Sequence, residues 1–151
     1  MNDIKFKKKI CIFFIHGFCS GSEDWDKQIK FFKSKFNVVA PTLRGHDGKN
    51  KSDMPMSIEQ ITDDCKKFVD EHKEKEFIFI GHSMGTRVAI NLVHQFEKRT
   101  LGLILVDGSR FANAESYGKV ITDFENSISK HDYILILKKM FASMFFNEKF
   151  K

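Results

Sequence analysis

Three stretches of this chain are apolar without interruption: Ile10–Ile15, Phe77–Ile80 and Leu101–Val106. A strand with one wet face alternates apolar and polar residues, so an unbroken run of β-branched and aromatic side chains predicts a strand covered on both faces. The segments between these runs carry a different period. Trp25, Ile29, Phe32 and Phe36 recur at helical spacing with lysines between them, which predicts a helix from Trp25 to Phe36. Asn37–Ala40 reads as a short strand stopped by Pro41, and a polar loop follows from Thr42 to Pro55. Ser57 and Gln60 stand at capping-box spacing ahead of the stripe Ile58, Ile61, Cys65, Phe68 and Val69. A further helix runs from about Met84 to Phe96, with Val88, Leu92 and Phe96 on one face. Strand and helix therefore alternate four strands deep. That order predicts an α/β fold: a parallel sheet with helices on both faces.

The pattern changes after Arg110. Tyr117, Val120, Ile121, Phe124 and Ile128 form one amphipathic stripe, and Ile134, Leu137, Met140, Phe141, Met144 and Phe145 form another. No strand separates them. The expected organisation is a core over residues 1–110 and the start of a helical cap over 111–151.

Composition narrows the function classes. The chain has 151 residues, 42% of them hydrophobic, which suits one domain with a real core. No apolar run approaches the roughly 18 residues of a membrane span. The net charge of +5 comes mainly from lysines spread among acidic residues, as on a solvated surface, and no RNA- or DNA-binding motif accompanies them. Nucleic-acid binding is therefore not expected. Cys11, Cys19 and Cys65 are odd in number and show neither metal nor disulfide-framework spacing, which points to reduced thiols in a cytoplasmic protein. Lys7-Lys8-Lys9 before Ile10–Ile15 imitates a leader peptide, but six apolar residues interrupted by His16 read better as a buried strand.

The residues that carry chemistry sit where strands end. Gly81-His82-Ser83-Met84-Gly85 fits the G-x-S-x-G nucleophile elbow, with an apolar strand before it and a helix after it. A serine on such a turn holds its hydroxyl above the sheet edge, and the helix N-terminus behind it favours developing negative charge. Ser83 is the candidate catalytic nucleophile. His16-Gly17-Phe18 follows the first strand. A backbone N–H from that loop, at Phe18, would complete an oxyanion hole with the N–H of Met84. His16 itself reads as a loop-organising residue, because an imidazole within a turn can bond backbone groups.

These two motifs, with Trp25 and Thr42-Leu43-Arg44-Gly45-His46 between them, resemble the α/β-hydrolase superfamily. The likeness is to small carboxylesterases of the pimeloyl-carrier-protein methyl ester esterase type, and it runs from about Ile10 to Val106. Arg44-Gly45-His46-Asp47-Gly48 resembles the family's Arg-Gly-His-Gly-x-Ser loop, with Asp47 where Gly is usual. The resemblance implies Ser83 as nucleophile, Phe18 and Met84 as oxyanion donors, and a lid after Asp107. Its apolar side chains Phe141, Met144 and Phe145 would then bind the acyl part of a small ester or thioester. No cofactor or metal is implied, and oligomeric state is left open.

One part of the family pattern has no counterpart. A serine hydrolase needs a base and an orienting carboxylate, which the family supplies from later strands in the order Ser, acid, His. Asp107, where some lipase relatives place the acid, is the candidate within the chain; its alternative role is to cap the following loop. Of the histidines, His16, His46, His72, His82, His94 and His131, only His46 and His131 lie in segments that could approach Ser83. The expectation is the front part of a longer, truncated α/β-hydrolase fold. The alternative is a non-catalytic chain that binds an acyl group or a protein.

Overall fold

The computed structural model describes residues 9–46, 57–73 and 75–108. Within them are four strands: β1 (Ile10–Ile15), β2 (Asn37–Val39), β3 (Glu76–His82) and β4 (Thr100–Val106). Three α-helices connect them: α1 (Asp26–Phe32), α2 (Ile58–Glu71) and α3 (Met84–Gln95). The strands form one sheet in the order β2-β1-β3-β4, and each neighbouring pair is parallel. The chain also divides into two compact units, Met1–Arg110 and Phe111–Lys151. The second unit, with the two expected cap stripes, lies outside the described residues.

β1 and β3, two of the unbroken apolar strands, are covered on both faces. Cys11, Phe13 and Ile15 of β1 join Phe77 and Phe79 of β3 on one face, against Ile61, Cys65 and Val69 of α2 and Val88, Ala89 and Leu92 of α3. Ile12, Phe14 and Ile80 face the other way, against Trp25, with Ile29, Phe32 and Phe36 packed around them. Aromatic rings fill much of the first face. Phe77 and Phe79 stack with centroids 5.5 Å apart, and Phe13 lies 5.8 Å from Phe79. On the second face the indole of Trp25 sits 4.8 Å from the Phe14 ring.

Helix ends follow local chemistry. Ser57 caps α2 through a reciprocal pair: its hydroxyl accepts from the Gln60 N–H at 3.3 Å, and its own N–H donates to Oε1 of Gln60 at 3.4 Å. Arg99 closes the other end of α2. Its guanidinium donates to the carbonyls of Val69, His72 and Lys75 and lies over the rings of Phe77 and Phe96. Three carbonyls near the helix C-terminus thus share one planar donor fork.

Two expectations need correction. The helix read over Trp25 to Phe36 is a 3₁₀ turn at Ser22–Trp25, then α1, then turns held by Lys33 to Ile29 and Phe36 to Phe32 backbone bonds of 2.9 and 3.0 Å. Those turns keep Phe36 on the apolar stripe although the helix has ended. β4 was expected to be buried on both faces. Leu101, Leu103, Ile104, Leu105 and Val106 are instead 37–50% exposed. Among the described residues β4 is an edge strand, and only α3 covers part of it.

The buried ring layer sets a clear stability contrast. Phe13→Ala should lower the unfolding free energy by about 3–5 kcal/mol, the usual cost of emptying a fully buried aromatic site. Phe31→Ala, at a side chain 67% exposed, should stay within about 0.5 kcal/mol. Urea unfolding of the two variants beside the parent checks both.

Candidate active site

The sheet order fixes where a site can form. From β1 the chain moves outward to β2, then returns across β1 to β3. The loops leaving β1 and β3 therefore diverge to opposite sides, which opens a crevice at the carboxyl ends of these two strands. His16-Gly17-Phe18 leaves β1 there and Ser83 leaves β3 there.

Ser83 stands between the last residue of β3 and the first of α3, with φ 50° and ψ −116°. A serine in that region is strained, and the surrounding contacts hold it. Its N–H donates to the Val106 carbonyl of β4 at 3.0 Å. Its carbonyl accepts from the Thr86 N–H at 3.1 Å and from the buried Thr86 hydroxyl at 2.6 Å. Space explains the glycines of the motif. A Cβ on Gly81 would stand 2.4 Å from the Gly85 carbonyl oxygen, and one on Gly85 would stand 2.4 Å from the Ile15 oxygen. The first turn of α3 thus rests backbone to backbone on β3 and on the end of β1.

The β1 loop lies against the elbow. A Cβ on Gly17 would come within 3.1 Å of the Ser83 Cβ and 3.0 Å of Nδ1 of His82. Phe18 is the next residue, its side chain 48% exposed. Met84 opens α3, and the first amides of a helix have no partner within the helix. The two candidate oxyanion amides therefore come from the β1 loop and the first turn of α3, and Gly17 of that loop lies against Ser83.

His16 is fully buried and both ring nitrogens are engaged. Nδ1–H donates to the Gly17 carbonyl at 2.8 Å, and Nε2 accepts from the Leu43 N–H at 2.9 Å. These partners fix the neutral tautomer with the proton on Nδ1. Burial also pushes the imidazole below its ordinary pKa. His16 thus organises the loop, as read from the sequence. The Gly17 carbonyl and the Phe18 N–H belong to one trans peptide, so fixing the oxygen also fixes the direction of that N–H.

His46 packs edge-on to both His16 and Phe18, with ring centroids 5.1 and 6.0 Å away, and its Nδ1–H donates to the Arg44 carbonyl at 3.0 Å. His72 closes α2 and bonds the Phe68 carbonyl, and His94 sits in the last turn of α3, both away from the elbow. Asp107 follows Val106, the partner of the Ser83 N–H, and has a left-handed backbone with φ 46°. Gly108 then approaches Thr86 so closely that a Cβ would stand 2.1 Å from Cγ2. His131, Phe141, Met144 and Phe145 lie outside the described residues.

The two buried thiols are poor nucleophiles. Burial pushes Cys11 up to about 11 and Cys65 up to about 12, so both stay protonated. Among the described residues no group of three His, Cys, Asp or Glu could hold a metal ion, and no helix is long and apolar enough to cross a membrane.

Sequence reasoning singled out Ser83, Met84, Phe18 and His16 as candidates from their motif positions. It missed Thr86, whose hydroxyl supports the elbow carbonyl. A Thr three residues past the serine is a helix residue by pattern, and only the backbone it bonds reveals its use.

Two outcomes follow. Gly85→Ala should cost about 1–3 kcal/mol of stability, because the new methyl meets a backbone carbonyl that cannot swing aside. Urea unfolding measures it. His16 has a folded pKa below its unfolded value, so above pH ~6.5 both states are neutral and stability is full. As pH falls below that value the unfolded chain takes the proton first, and stability declines until the folded state also titrates. The urea midpoint should therefore drop between pH 7.5 and 5.5, and His16→Gln should flatten that drop.

The chain is similar to several known proteins. It is 26% identical to the human protein ABHD8 over 102 residues, 66% of this chain and 23% of that protein. MenH from S. aureus superposes with a TM-score of 0.74 at 24% identity, covering 88% of this chain and 52% of that one. A thermophilic esterase from Thermogutta terrifontis gives a TM-score of 0.69 at 24% identity, covering 80% of this chain and 45% of that one. These two structures share the fold, and the chain spans about half of MenH and under a quarter of ABHD8. The family model described as the alpha/beta hydrolase fold matches residues 11–145. With its parallel sheet and strained strand-to-helix serine, the chain belongs to the α/β-hydrolase family.

Proposed function

We propose that Ser83 is the nucleophile of a serine hydrolase acting on small carboxylic esters or thioesters. The observation that carries this reading is the Ser83 backbone, held at φ 50° on the turn between β3 and α3 with the Gly17 loop against it. A structural serine has no need of a strained conformation at a sheet edge.

In this reading Ser83 Oγ attacks the substrate carbonyl carbon while a base removes its proton. The carbonyl oxygen becomes an oxyanion, which accepts from the N–H groups of Phe18 and Met84. Collapse expels the alcohol or thiol, which leaves with a proton, and an acyl-serine forms. Water, deprotonated by the same base, then releases the acid and restores Ser83. The base comes from outside the described residues. Asp107 at the tip of β4 is the candidate carboxylate within the described residues, and Phe141, Met144 and Phe145 are candidates for the acyl pocket. The esterase among the proteins of like fold supports this substrate class. Unpaired Cys11, Cys19 and Cys65 support a reducing, cytoplasmic location.

A fluorophosphonate probe tests the nucleophile. The chain should take up one equivalent, located at Ser83 by peptide mass mapping, and Ser83→Ala should take up none. A folded chain that stays unlabelled would remove the activated serine and leave the acyl- or protein-binding reading.

A further inference from the structure

The oxyanion loop is tied to a distant helix through Arg44. Nε of Arg44 donates to Oδ2 of Asp64 at 2.6 Å, and its Nη2 donates to Oδ1 at 2.9 Å. Asp64 belongs to the middle of α2, with its side chain 31% exposed and that of Arg44 19% exposed. The two parallel bonds form a fork, which fixes direction as well as distance. The guanidinium holds the Asp64 carboxyl below its ordinary pKa, so the pair stays charged at neutral pH.

Two connections leave Arg44 toward the loop. The preceding residue, Leu43, is buried in the core and donates its N–H to Nε2 of His16. His16 passes this on through Nδ1–H to the Gly17 carbonyl, the oxygen of the peptide that carries the Phe18 N–H. The Arg44 carbonyl also accepts from Nδ1–H of His46, whose ring packs on both His16 and Phe18. The first connection ends on the Gly17–Phe18 peptide, and the second on the rings of His16 and Phe18. A bidentate Arg–carboxylate pair adds geometric specificity as well as energy, so it can fix where the loop that carries Arg44 sits.

We propose that Asp64 is a positioning residue for the oxyanion peptide, acting through Arg44 on the two links that hold His16, His46 and Phe18. The ion pair sets where the 42–46 loop sits, and that loop sets the orientation of the Gly17–Phe18 peptide. Donation by His16 to the Gly17 oxygen also polarises that peptide and strengthens its N–H as a donor. Asp64 touches no reacting atom in this scheme. The catalytic consequence rests on the proposed hydrolase function, whereas the structural link does not.

The test is NMR on the whole chain, which reads the Phe18 amide and the His16 ring without any turnover. In Asp64→Asn and Arg44→Lys, the Phe18 amide and His16 nitrogen signals should shift. The hydrogen-bonded Nδ1 proton of His16 should exchange with water faster than in the parent, because the loop that holds its ring opens more often. Lys67→Ala removes the other partner of Asp64, at 3.1 Å, and should leave these signals in place. Val69→Ala loosens α2 from a fully buried position and controls for lost stability. Unchanged Phe18 and His16 signals in folded Asp64→Asn, or equal shifts in Val69→Ala, would overturn the proposal. If wild-type Ser83 reacts with the fluorophosphonate, Asp64→Asn should lower the inactivation rate constant about tenfold with probe affinity within about twofold, and Asp64→Glu should restore most of it. Unlabelled wild type would sink the hydrolase reading alone, and the NMR comparison would still decide the link.

Discussion

At the elbow, backbone packs directly on backbone. The first turn of α3 meets the carbonyl of Ile15 at the end of β1, at a distance that admits no side chain on Gly85. Gly81 allows the same between β3 and α3. Because these contacts involve main chain on both sides, they leave no room for rotamer adjustment. The helix axis, the elbow and the β1 loop are therefore set together. Ser83 is forced into its left-handed conformation by that arrangement, and Thr86 and Val106 occupy its backbone groups from α3 and β4.

This constraint explains how residues far apart in sequence share one site. Met84 adjoins Ser83, so its placement is local. Phe18 lies a whole β-α-β-α-β path away and arrives through sheet register. β1 and β3 pair in parallel from Ile10 opposite Glu76 to Ile15 opposite Gly81, so their carboxyl ends are level. A slip of one residue would turn Phe13 and Phe79 to the wrong face, and the aromatic layer beneath the site resists it. The ring packing that stabilises the core thereby also aligns the two loops.

Much of this was legible in the sequence, for reasons that can be stated by residue. Ile10–Ile15 lacks alternation, a pattern that suits a strand buried on both faces, and β1 is buried throughout. Ser57 and Gln60 form the capping box their spacing announces. The elbow was legible because its chemistry requires small residues at fixed offsets. The limits of α1 were not, since the turns after Phe32 keep the same faces buried as a helix would. The exposure of β4 was not legible either. Thr100–Val106 has the composition of a central strand, yet among the described residues it stands at an edge, and composition reports which neighbours a strand suits rather than which it has. Arg44–Asp64 escaped for another reason: a charge pair between a loop and a helix follows from tertiary placement, which no local period encodes.

The histidines show how burial divides chemical labour at one sheet edge. His16 lies next to the elbow loop, yet both nitrogens serve backbone groups and its environment opposes a positive charge. A general base must accept a proton and carry the charge through a reaction, so a fully buried imidazole already accepting a backbone N–H is excluded by its own hydrogen bonds. What disqualifies it as a base makes it suitable as a clamp: a neutral ring with one donor and one acceptor joins two loops only while its protonation state is fixed. The crevice thus sets a ring that orients the Gly17–Phe18 peptide beside a serine held on a strained turn. In the proposed hydrolase, the group that moves protons would then have to reach Ser83 from a more solvated position, on an element that leaves the His16 links intact.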